Sequence, residues 1–136
     1  MDVYEKSISD KINAAAGKDI YFRADEIMAL SEDASSDIIG ILLSYGCQGQ
    51  NVLPIMISRE CMQQFPVEWV SEKIRQKVSV SIDINDDWEY RRFLELCDLI
   101  SIDLLRWAIS LNENSTDPYI AEVVDDFKEY LNSINR

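Results

Sequence analysis

The chain contains no histidine, and that single absence excludes a large share of enzyme chemistry. No imidazole can activate a serine or a cysteine, act as a general base near neutral pH or complete an HExxH zinc site. Glycine and proline are scarce, at 4 and 3 of 136 residues, which argues against a low-complexity or disordered chain. The glycines form neither GxGxxG nor GxxxxGK; GCQGQN, from Gly46 to Asn51, reads as a turn between helices and not as a phosphate cradle. Cys47, Cys61 and Cys97 lie far apart without a CxxC pair, the pattern of reduced, buried thiols and not of a disulfide framework. No stretch approaches about 18 uninterrupted apolar residues, and MDVYEKSISDKINAAAG at the start interleaves charges without an apolar run of signal-peptide length. A protein that neither spans nor crosses a membrane is expected, with the cytoplasm as its compartment.

Positive charge is also in short supply. Thirteen lysines and arginines face 25 acids, a formal net charge of −12. Met1 to Asp37 holds 9 acids and 4 bases, Ile38 to Asn85 holds 4 of each, and Asp86 to Arg136 holds 12 and 5, so the two ends carry the whole excess. Such a field repels phosphate backbones and anionic lipid, and it draws in basic proteins through a long-range attraction that salt weakens. No nucleic acid and no membrane is therefore expected as a partner, and a basic protein is. The competing explanation is that the acidity serves solubility alone.

What the sequence has in abundance is helical periodicity. The length suits one domain, residues 1–136. Eight helices are predicted. The first runs Val3 to Ala16 and stops at Gly17. The second spans Asp19 to about Leu30, with DIYF as a competing short strand. The third is capped by Ser35 or Ser36 and ends at Gly46, and the fourth is VLPIMISRECMQQF after Asn51. Pro66 takes the first position of the fifth. Asp86 caps a sixth from Asp87 to about Ile100, Ser101 caps the seventh, and Thr116 or Asp117 with Pro118 opens the last. Against this pattern, Val78, Val80, Ile82 and Ile84 alternate with polar residues in strand fashion. With no convincing second strand to pair with, Val78 to Ile84 is predicted to be an extended connector. The sixth and seventh helices are apolar over most of their circumference and belong inside. The eighth sets Ile120, Val123, Val124, Phe127 and Leu131 opposite Glu122, Asp125, Asp126 and Glu129.

Helix starts near residues 36, 51, 66, 87, 102 and 118 are separated by steps of 15, 15, 21, 15 and 16, a near-regularity that predicts stacked antiparallel hairpins of the α-solenoid kind. STDPYIAEVVDDFKEYL resembles the first helix of HEAT-like repeats: Asp117 and Pro118 match the usual Asp-Pro opening, while Ala121 stands where those repeats usually carry arginine. The segments RECMQQFPVEWV, DDWEYRRFLEL and STDPYIAEVVDDF, in that order, resemble a group of small acidic helical proteins of bacteria, some similar to immunity proteins of toxin systems. That resemblance implies an all-α superhelix that binds a toxin domain and catalyses nothing.

The remaining candidates divide between chemistry and packing. Asp83, Asn85 and Asp87 follow the first three ligand positions of a calcium loop, but Trp88 stands where the loop needs glycine and Leu94 where it needs glutamate. No metal and no cofactor is expected. The carboxylates of the last helix lie opposite its apolar stripe, on the solvent side, whereas a catalytic pair needs one member buried. Arg91, Arg92 and Arg106 could form an anion site, yet Arg92 sits four residues after Trp88 and three before Glu95, well placed to stack on one and pair with the other. Trp69, Trp88 and Trp107 read as core, with a surface hot spot as the alternative. The expectation is a non-enzymatic binding protein whose acidic face, Asp86, Asp87, Glu89, Glu122, Asp125, Asp126 and Glu129, meets a basic partner such as a toxin domain. A HEAT-like adaptor presenting aromatic residues to a peptide, and a carboxylate-only enzyme, are the alternatives.

Overall fold

Asp2 opens the chain's first helix by accepting hydrogen bonds from the Tyr4 and Glu5 amides, and Gly17 closes it at φ 73°, a conformation only glycine adopts without strain. That helix, α1 (Val3–Ala16), is followed by α2 (Ala24–Met28), α3 (Glu32–Cys47), α4 (Val52–Met62), α5 (Val67–Ser81), α6 (Asp87–Ile100), α7 (Ile102–Ser110) and α8 (Pro118–Ile134). They are seen in a computed structural model, which describes residues 2–48 and 51–134. Among those residues the protein is all-α, with no strand and with no helix long and apolar enough to cross a membrane.

The core is built around α3. Its Ile38, Ile39, Leu42, Leu43 and Cys47 have no exposed surface, and it packs against α1, α2, α4, α5 and α6. One apolar cluster runs from Ile8 of α1 to Leu131 of α8, each fully buried aliphatic contributing about 1.5–3 kcal/mol. In the second half α6, α7 and α8 all touch one another. Arg91 and Asp98 of α6 meet Asp126 and Tyr130 of α8 in ascending order, so these two helices run the same way with α7 returning between them.

Five expectations need correction. The second helix is shorter than Asp19 to Leu30, because Tyr21 is left-handed at φ 53° and Asn13 Oδ1 accepts from both the Ile20 and Tyr21 amides, holding DIYF as a turn. α3 begins a turn earlier than predicted: Ser31 caps it through the Ala34 amide, while Ser35 and Ser36 are buried within it. Gly46 lies inside that helix, where even a methyl group would stand 3.4 Å from Ser58 Cβ; of the expected GCQGQN turn, Gly49 and Gln50 lie outside the described residues. α4 stops at Met62, three residues early, as the approach of Pro66 disfavours helical backbone at Phe65. Finally, Val78 to Ser81 is helical, the last turn of α5, and extended backbone begins only at Ile82. Ile74 and Val78 are buried one turn apart, whereas Val80 is 77% exposed. The valine-serine alternation is thus a helix edge.

Between α6 and α7 the chain turns on a single residue. Ser101, at φ −163° and ψ 153°, ends one helix and caps the next, its Oγ accepting from the Leu104 amide at 3.0 Å. Ser101→Ala leaves that amide without its acceptor and should cost about 1 kcal/mol in urea unfolding, whereas Ser101→Asp should keep most of the stability.

Candidate functional site

The seven predicted acids fall into two groups that α6 and α8 bring side by side. Asp86 accepts from the Trp88 and Glu89 amides and so caps α6. Glu89 accepts from the Asp83 amide at 3.2 Å, which ties the preceding loop to the helix. On α8, Asp126 accepts from Arg91 Nη2 at 2.9 Å. Arg91 stands one turn beyond Asp87 on α6, and Glu122 and Glu129 flank Asp126 on α8, so this ion pair joins the two acidic groups across the seam. Both partners are substantially exposed, and the pair contributes under about 1 kcal/mol; its effect is to set the register. Asp87, Glu122, Asp125 and Glu129 are exposed and make no ion pair among the described residues. Four of the seven acids therefore project outward, and three have structural work.

The bases tell the complementary story. Eight of them, Lys6, Arg23, Arg59, Lys73, Lys77, Arg91, Arg92 and Arg106, lie within 4 Å of an acid of the same chain. Two more, Lys11 and Arg75, lie over the rings of Tyr45 and Trp107. All three tryptophans are covered by a cation: Lys73 over Trp69, Arg92 over Trp88 and Arg75 over Trp107. Of the remaining described bases Lys18 and Lys128 are exposed, the latter on α8 itself, so most of the positive charge, though not all, is engaged within the chain.

The tryptophans are not the deep core that their spacing suggested. Trp69, stacked on Phe65 at 4.9 Å, and Trp107 are half-buried against the core. Trp88 is 46% exposed. Its neighbour Arg92 lies 4.7 Å from the ring centroid and donates to Glu95 Oε1 at 3.2 Å, the arrangement expected from the 88–92–95 spacing. Arg59 of α4 also reaches this carboxylate, at 3.7 Å, and donates to the Arg92 carbonyl at 3.3 Å.

Two residues escaped the sequence. Tyr90 is fully buried, and its hydroxyl donates to the Ala108 carbonyl at 2.7 Å, satisfying a backbone group near the end of α7. Burial raises its pKa well above the usual phenol range. Its place on the inward side of α6 follows from the helical periodicity, but its bond to α7 does not. Lys73, 6% exposed, donates to Ser36 Oγ at 3.0 Å and lies 3.8 Å from Glu32; no local signal marks a lysine in a helix as buried.

The three cysteines are buried. Desolvation pushes Cys47 and Cys61 up to about 12, and Cys97 well above the usual thiol range. Because the folded pKa values are raised, the stability they reflect is complete below the unfolded thiol value of about 8.5 and is lost as pH rises above it. Two results follow. The melting temperature should fall between about pH 8 and pH 10 more steeply in the native protein than in a Cys61→Ala variant, and at pH 8 a thiol reagent should label the folded chain only at its rate of opening.

Against protein-family models, curated proteins and solved structures alike, the chain finds no match, so its own residues carry the reading of this face.

Proposed function

We propose that this protein acts without catalysis, by binding a basic protein through the acidic face of α6 and α8. In its most concrete form it is a bacterial, cytoplasmic immunity protein that neutralises a cognate toxin, such as a nuclease, by covering the positive surface with which the toxin grips its substrate. Asp87, Glu122, Asp125 and Glu129 make the contact; Asp86, Glu89 and Asp126 add negative potential while holding the scaffold. The observation that carries this reading is the division of charge: ten of the twelve described bases pair with an acid or lie over an aromatic ring of the same chain, whereas these four acids have no ion-pair partner among the described residues. On architecture, we read helical hairpins stacked in the HEAT manner. The alternate contacts α1 with α3, α3 with α5 and α6 with α8 support it, as does the shared direction of α6 and α8; the contact of α3 with α6 is one that a strictly linear stack lacks.

A second reading, an adaptor that grips a neutral peptide through aromatic contacts, is favoured by the exposure of Trp88. Salt separates the two. Tagged protein should retain a strongly basic partner at low ionic strength and release it as salt rises from about 50 to about 500 mM, since screening acts on charge and not on apolar contact. Retention of a neutral partner, unchanged across that range, would leave the adaptor standing and remove the acidic face.

A further inference from the structure

Beside the acidic face lies a strip of exposed apolar surface that neither the core nor the ion pairs explain. On α4, Leu53 and Met56 are 41% and 49% exposed, and on α6 Trp88 is 46% exposed. Side-chain contacts set the register of these two helices, whose backbones do not pack closely on one another. Arg59 of α4 reaches Arg92 and Glu95 of α6, and further along Met62 and Gln63 share a notch with Leu99 and Ile100. The helices therefore run in the same direction, and one turn back from Arg59 and Arg92 stand Met56 and Trp88. α3 packs beneath both.

The strip has an acidic rim. Glu60 stands one turn beyond Met56, and Asp86 and Asp87 immediately precede Trp88; all three are exposed. Arg59 and Arg92 both converge on Glu95, a cluster of net charge +1 that offsets part of the three rim acids and leaves the rim negative. Arg92 also fixes one side of the indole from within the chain, so the ring is held in place before any partner arrives. An apolar centre with a charged rim is the anatomy of a protein interface, and tryptophan and methionine are enriched in such centres.

We propose that this strip seats an amphipathic helix of the basic partner, with apolar side chains against Leu53, Met56 and Trp88 and lysines or arginines along its edges opposite Glu60, Asp86 and Asp87. The inference rests on the acidic-face reading and adds to it the shape of what is bound. A helix meets both demands, because one face can be apolar while residues three and four positions away bring charge to its margins. A second copy of this chain is a poorer occupant: two bodies each carrying −12 repel one another.

The test uses the whole protein and three synthetic peptides of about 18 residues, or five helical turns. One places leucine on a single face and lysine on the rest, the second scrambles that composition, and the third replaces lysine by glutamate. Binding is measured by calorimetry at low salt, and NMR follows the Met56 methyl group and the Trp88 indole N–H. The facial leucine-lysine peptide should bind and shift both signals, while the scrambled and glutamate peptides bind at least tenfold more weakly. Trp88→Ala and Met56→Ser should each weaken the facial peptide at least fivefold. Both residues are half-exposed, so the fold should survive, as circular dichroism can check. If the variants or the scrambled peptide bind like the originals, the strip is not the seat, although charge-driven binding stands. Should no cationic peptide bind at all, the acidic-face reading falls together with the strip. Equal binding of the glutamate peptide, or a dimer of the protein alone that Trp88→Ala abolishes, would also overturn the proposal.

Discussion

Leu42→Ala should lower the free energy of unfolding by about 2–5 kcal/mol, measured by urea denaturation at pH 7. Leu42 is fully buried in the middle of α3, and α3 is the helix on which α1, α4, α5 and α6 converge. A cavity there removes contacts that no single neighbour can restore by shifting, since relaxation toward one packed helix withdraws atoms from another. The upper half of the range is therefore expected. Val80→Ala is the matched control: Val80 is 77% exposed at the end of α5, and its truncation should change stability by under about 0.5 kcal/mol. A loss below about 1 kcal/mol at Leu42 would mean that α3 is not the centre of packing.

The parts of this fold legible in the sequence are those decided by neighbours in the chain. Asp86, Ser101 and Asp117 meet backbone amides two or three residues away, so a cap can be recognised from a short window, and Gly17 marks the stop of α1 for the same local reason. Ser31 and Ser36 could not be told apart in this way. Ser36 directly precedes the apolar run, but the helix has already begun at Glu32, and within it Ser36 accepts a hydrogen bond from Lys73, 37 residues later. The Val78 to Ile84 stretch failed similarly. Val78 and Ile82 are four residues apart and both buried, so every second residue being apolar satisfied strand and helix periods alike over so short a run. Only the packing of α5 on α3 separates them. In the site, the acidity of α8 and the Arg92 contacts were readable as helix spacings. The meeting of Asp126 with Arg91 was not, because it requires α7 to fold back and lay α8 along α6. Arg91, an exception in an acidic region when read along the chain, is the link between its two halves.

Reversing Glu122, Asp125 and Glu129 to lysine should slow association with a basic partner by about 10–100-fold at low salt, with a much smaller change in dissociation. Each reversal adds two positive charges to the −12 of the chain, leaving −6. The encounter is governed by the potential that the approaching partner meets, and these three residues place theirs on the outward side of α8, opposite the buried Ile120, Val123, Val124 and Leu131. Since none of them pairs within the described residues, the triple variant breaks no ion pair there and should melt close to the parent. Net charge alone predicts the same loss wherever the lysines are put, so a second variant is needed, with Asp19, Glu68 and Glu72 reversed instead. These exposed acids lie on the α1–α2 connection and on α5, and the total charge change is identical. Stopped-flow measurement of both variants across a salt series separates the cases. If the α8 variant is the slower by tenfold or more, and the difference closes as salt shortens the Debye length to about 3 Å near 1 M, the potential is local to the face of α6 and α8. If the two variants slow equally, the acidity is a property of the whole body and the four outward carboxylates are not a site.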